Sequence, residues 1–172
     1  MLQRPGVSDP NINSPEWDMD LTEPPFRSRA MAIAHRAGAQ ELGATLYELD
    51  PGGAVSPYHL HHGNEELLVV LAGLPALRSA DGVRRLEPGS VVAFVRGPRG
   101  AHQVSNPGPD PARVLILSTM RLPEVAEHPD TGTLLAMTGP QQGKTFAGGS
   151  DVPFMESVMR AMKAAEERSH ET

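Results

Sequence analysis

The stretch His59-Leu60-His61-His62-Gly63-Asn64-Glu65-Glu66, running on into Leu67-Leu68-Val69-Val70-Leu71-Ala72-Gly73, decides how the rest of the chain is read. An extended strand sends alternate side chains to opposite faces, so His59 and His61 share one face while Leu60 and His62 take the other. Two imidazoles side by side, with a carboxylate a few residues on, form a donor set that zinc and ferrous iron accept. From the residues alone, both Glu65 and Glu66 are candidates for that carboxylate.

Outward from this stretch, short apolar runs alternate with turn signals. Leu42 to Leu49 ends at Asp50-Pro51-Gly52-Gly53, Ala54 to His61 at Gly63-Asn64, and Glu66 to Ala72 at Gly73. The pattern continues through Ala76 to Ser79, Val83 to Leu86, Val91 to Arg96 and Ala101 to Ser105, and closes with Arg113 to Met120, the most hydrophobic run. Asp81-Gly82 is a hairpin signal, and short strands at such close spacing predict an antiparallel sandwich or barrel. Ala30 to Gln40 fits strand or helix by periodicity; the strand is preferred because strands follow it.

These segments resemble the first cupin motif, G-x5-H-x-H-x3-4-E-x6-G. Gly53 stands six residues before His59, and of the two glutamates only Glu66 lies seven residues before Gly73. The second motif, G-x5-P-x-G-x2-H-x3-N, is matched by Gly97-Pro98-Arg99-Gly100-Ala101-His102-Gln103-Val104-Ser105-Asn106, with departures. His102 and Asn106 keep their mutual spacing, the gap from Gly100 to His102 is one residue short, and the G-x5-P element lies upstream at Gly82 to Pro88. The likeness is to small bacterial single-domain cupins and covers about residues 42 to 128.

The resemblance implies an all-β fold, a double-stranded β-helix or jelly-roll barrel, which leaves no long strand edges exposed. It implies a metal site of His59, His61, Glu66 and His102 holding one divalent transition metal, Fe, Mn, Zn or Ni, with Glu65 an exposed neighbour. It also implies a homodimer formed through sheet edges and N-terminal arms. Three imidazoles and a carboxylate leave open coordination positions for water, dioxygen or a chelating substrate. The functions expected are therefore a small-molecule metalloenzyme of dioxygenase, isomerase or lyase type, with Glu66 also able to act as general base, or a non-catalytic metal-dependent ligand-binding or sensing protein.

Composition narrows the field. At 172 residues and 39% hydrophobic content the chain suits one compact domain. With no cysteine, disulfides, thiolate ligands and a cysteine nucleophile are excluded. A net charge of −6 and 4% aromatics give neither basic stripe nor stacking surface for nucleic acid. No apolar run approaches a bilayer span and Met1-Leu2-Gln3-Arg4-Pro5-Gly6 lacks a signal-peptide core, so a cytoplasmic protein without a membrane partner is expected.

The domain reading is an N-terminal arm over residues 1–26, a barrel over 27–120, a loop over 121–149 and a C-terminal helix and tail over 150–172. In the last segment Ser150 or Asp151 caps a helix with Pro153 in its first turn, and Met155, Val158, Met159 and Met162 fall at helical spacing. His62 and Gln103 fall out of phase with the proposed ligands, and His35, His128 and His170 read as ordinary surface or satisfied histidines. Arg96 and Arg99 flank the approach to His102, where either suits a substrate carboxylate, though a solvated turn arginine is the commoner case. Gly139-Pro140-Gln141-Gln142-Gly143-Lys144-Thr145 fails as a phosphate loop: it has three residues between its glycines instead of four, and Phe-Ala-Gly-Gly follows instead of a helix. Lys144 is expected in a loop near the barrel mouth.

Overall fold

The computed structural model describes residues 9–139 and 142–147. The strands run β1 (Met19–Leu21), β2 (Ser28–Met31), β3 (Gly43–Leu49), β4 (Leu60–His61), β5 (Glu66–Ala72), β6 (Ala76–Ser79), β7 (Gly82–Arg85), β8 (Val91–Phe94), β9 (His102–Ser105), β10 (Ala112–Ser118), β11 (Glu124–His128), β12 (Thr133–Gly139) and β13 (Gln142–Phe146). Among the described residues a single short helix, α1 (Ile33–Arg36), follows β2, and a 3-10 turn at Pro98–Gly100 precedes β9.

Strand pairing is antiparallel throughout. One sheet has the order β1-β2-β3-β10-β5-β8, a second β13-β12-β11-β4 and a third β7-β6-β9. Bridges Ala54↔Ser105 and His59↔His102 join the two smaller sheets, so the segment carrying the histidines is flanked by β9 and β11. Core side chains come from both layers: Leu49, Leu68, Val70, Val114 and Ile116 from the large sheet, Leu77 and Val104 from the other. Each such aliphatic side chain contributes roughly 1.5–3 kcal/mol by leaving water.

Period-two burial explains why β5 sits as it does. Leu68 and Val70 are fully buried and Leu67 is exposed, so the same parity turns Glu66 inward and leaves Glu65 outside. Gly73 then ends β5 at φ 77, where a Cβ would lie 2.7 Å from the Ala112 Cα. The Asp81-Gly82 hairpin forms as expected, with Ser79 paired to Gly82.

Several expectations are corrected. Where a loop was expected over 121–149, the described residues carry strands: β11 pairs with β4 and continues the second sheet through β12 and β13, so the barrel does not close at residue 120. The strand signal was hidden because β11 buries a carboxylate, Glu124, at an inward position, and all five residues of β13 are exposed. In residues 30–40 strand gives way to helix after Met31. The described part of the N-terminal arm contains β1, a fully exposed edge strand with no burial period to read. This arm is tied to its own barrel by Asp18, which accepts from the Ala32 N–H and from Arg36. The expected C-terminal helix, with His170, lies outside the described residues.

Candidate metal centre

The site is assembled by the narrow antiparallel pair His59 and His102, whose backbones exchange hydrogen bonds of 3.0 and 2.8 Å. That pairing sets their rings 4.5 Å apart, with the His61 ring 4.9 Å from His59 on the same face. Glu66 reaches in from the opposite layer; its Oε2 lies 3.4 Å from His61 Nε2 and 3.4 Å from His102 Nε2. One ligand atom each from His59, His61 and Glu66 lies within 4.8 Å of the others, close enough to share one ion. His102 is outside this compact trio and joins it through Glu66. Strand geometry thus brings together all four residues named from the sequence.

Hydrogen bonds fix which ring nitrogens are free. A carbonyl oxygen only accepts, so the 3.0 Å contact of His59 Nδ1 with the Pro57 carbonyl places the proton on Nδ1 and leaves the Nε2 lone pair open. His102 repeats the arrangement, Nδ1 donating to the Gly100 carbonyl at 2.9 Å. Both rings therefore hold the tautomer that a metal ligand requires. His61 Nδ1 is buried without a hydrogen bond and faces Glu124 Oε1 at 3.4 Å.

Charge is balanced around these rings. Burial first, then the neighbouring His102 and His61, pushes the His59 pKa down to about 4, so its ring is neutral at pH 7. Burial also opposes a charge on His61, but the carboxylates of Glu66 and Glu124 outweigh it and raise its pKa. For Glu66, burial is outweighed by the neighbouring His102 and His61 rings, which hold the carboxyl at about 2. One ionised carboxylate among three imidazoles is a donor set suited to a borderline divalent ion.

Sequence reasoning missed three contributors. Glu124 is 1% exposed and is held by Asn64, whose Nδ2 donates to the Glu124 carboxylate and to the Arg121 carbonyl. Asn64 Oδ1 in turn accepts from Thr119 Oγ1 and the Arg121 N–H. His128, read from sequence as an ordinary histidine, has its ring 6.0 Å from that of His59. The only available signal was parity along residues 124, 126 and 128, and it was obscured because the first of these is charged. Tyr47 is the third: burial, then the Glu66 charge, pushes its phenol pKa up, so it remains a protonated hydroxyl.

The remaining candidates lie elsewhere. His62 is exposed and 3.2 Å from Glu127, and Glu65 is exposed, both as expected from parity. Arg99 lines a cavity of about 330 Å³ with Ser79, Arg84 and Phe94, whose walls include none of the four site residues, and Arg96 is exposed outside it. Lys144 lies in β13, not in a loop, and His35 is exposed on α1.

Residues 45–118 match the family model described as a cupin domain. No curated protein matches the chain. Among solved structures it is similar to a sugar phosphate isomerase from a cupin superfamily of Silicibacter pomeroyi DSS-3, at TM-score 0.72 and 23% identity, over 86% of this chain and 98% of that one. It is also similar to the polyketide cyclase RemF from Streptomyces resistomycificus, at TM-score 0.52 and 22% identity, over 72% of this chain and 84% of that one. No helix among the described residues is long and apolar enough to cross a membrane.

Proposed function

We propose that this protein, whose residues 45–118 match the cupin-domain model, is a cupin and a divalent-metal enzyme acting on a small oxygenated substrate, of isomerase or lyase type. The observation that carries this reading is the trio of His59, His61 and Glu66 with ligand atoms within 4.8 Å, one carboxylate among imidazoles. His102, through Glu66, is the fourth holder. A divalent ion held there supplies Lewis-acid polarisation of a substrate carbonyl or hydroxyl oxygen. Fe, Mn, Zn and Ni all suit the donor set.

The chain's own groups do the rest. His59 and His102 present fixed tautomers, which keeps their lone pairs aimed inward. Glu66, when it leaves the ion, is the general base available to take a proton from substrate carbon or oxygen. The Silicibacter relative's name directs the first assays to phosphorylated aldoses and ketoses, since isomerisation moves one proton between adjacent carbons.

The test is metal analysis of purified protein followed by isomerase assays on those sugars, with oxygen uptake measured in parallel. About one divalent ion per chain and interconversion without oxygen uptake support the reading. Oxygen uptake redirects it to a dioxygenase, and bound metal without turnover redirects it to metal-dependent ligand binding. Absence of metal after reconstitution overturns it.

We also propose a homodimer. Among the described residues β1 is an open edge strand with Met19 and Leu21 exposed, which supports pairing between two copies. Light scattering that finds a monomer rejects this.

A further inference from the structure

We propose that β11, which lies beyond the matched cupin segment, completes the metal centre, with Glu124 as a positioning residue that orients His61 through its Nδ1 proton. The inference rests on the metal-centre reading above.

The register places it there. Ala126 pairs with His61 and Glu127 with Leu60, so the next positions set Glu124 opposite Gly63 and His128 opposite His59. Side chains at 124 and 126 are buried, so this face of β11 looks into the barrel. Glu124 is among the most deeply buried side chains in the protein, and a buried carboxylate needs partners. It has two in Asn64 and the Gly63 N–H, and the third group facing it is His61 Nδ1 at 3.4 Å. His61 Nδ1 is itself buried and without a hydrogen bond, so each group supplies what the other lacks.

The chemistry of the pair follows. A proton held on Nδ1 by a carboxylate leaves Nε2 as the lone-pair nitrogen, and Nε2 is the atom facing Glu66. Glu124 thereby does for His61 what the Pro57 and Gly100 carbonyls do for His59 and His102. All three rings are aimed by an acceptor behind them.

The test is Co2+ titration of the full chain, followed by d-d absorption and competition with a chelator, for wild type and for Glu124→Gln, Glu124→Ala and His61→Ala. Expected is a loss of Co2+ affinity of about 10- to 100-fold in Glu124→Ala, with partial recovery in Glu124→Gln, whose amide oxygen still accepts from Nδ1. A merely structural carboxylate would lower the melting temperature without this split between the two variants. If wild type binds Co2+ and both Glu124 variants match it, the positioning role is overturned alone. Loss as complete as in His61→Ala makes Glu124 a ligand and also overturns it. A wild type that binds no Co2+ removes the metal-centre reading and this inference together.

Discussion

Phe94 lies flat against His102, the two ring centroids 3.6 Å apart and the planes within 5° of parallel. His102 is consequently clamped on two sides, by the phenyl face and by the Gly100 carbonyl on Nδ1. Both residues are almost fully buried, so the stack belongs to the core as much as to the site.

Removing the phenyl ring should therefore register in two measurements. Phe94→Ala is expected to cost about 3–5 kcal/mol in urea unfolding of the metal-free protein, from lost burial and the cavity left behind. Metal affinity should fall as well, because the His102 ring gains freedom. A stability loss under about 1 kcal/mol would show that the stack is not holding the ring.

Strand parity puts the two adjacent glutamates on opposite faces, Glu66 half-buried and Glu65 exposed. Glu66→Gln removes the inward charge and should abolish tight metal binding, whereas Glu65→Gln, on the exposed face, should leave it unchanged. Metal content after dialysis distinguishes them. Equal loss in both would contradict the inward placement of Glu66 alone.

The same period-two rule accounts for what was legible in the sequence and what was not. His59 and His61 could be paired because alternate residues of a strand share a face, and Glu66 was chosen over Glu65 by the motif's distance to Gly73, a choice that the buried Leu68 and Val70 match in parity. His102 needed the motif, since only the bridge to His59 brings it alongside. Glu124 and His128 were opaque, for the inward face of β11 carries a carboxylate and an imidazole where a strand signal calls for apolar residues. β13 is held by backbone pairing to β12 and buries no side chain, so no pattern could reveal it.

Gly63 offers a test that leaves every polar group in place. It is not among the positive-φ glycines, so alanine is acceptable to the backbone, yet its Cβ would lie 2.6 Å from Glu124 Oε2 and 3.3 Å from the Pro123 carbonyl. Gly63→Ala should cost roughly 1–3 kcal/mol of stability through overpacking. It should also weaken metal binding, because the carboxylate it displaces is the one facing His61. Unchanged affinity alongside reduced stability would detach Glu124 from the metal centre.

The pH dependence follows from the direction of each shift, since metal must displace whatever protons the ligands carry. Glu66, at about 2, is ionised across the accessible range and adds no competition. His61, raised above its ordinary value by Glu66 and Glu124, keeps its proton to higher pH than a free imidazole does. Mn2+ affinity should consequently rise about tenfold per pH unit up to the raised His61 value and flatten above it, as calorimetry can follow. Below about 4 His59 also protonates, and the slope should steepen to two protons. For the metal-free protein the two histidines act in opposite senses. His59, depressed on folding, contributes stability above the ordinary value near 6.5 that is lost as pH falls toward about 4. The His61 contribution is present below 6.5 and is lost as pH rises through its raised value. Chelator-treated protein should therefore lose less stability on acidification in a His59→Asn variant than in wild type, and an equal loss in both would place the acid-sensitive group elsewhere.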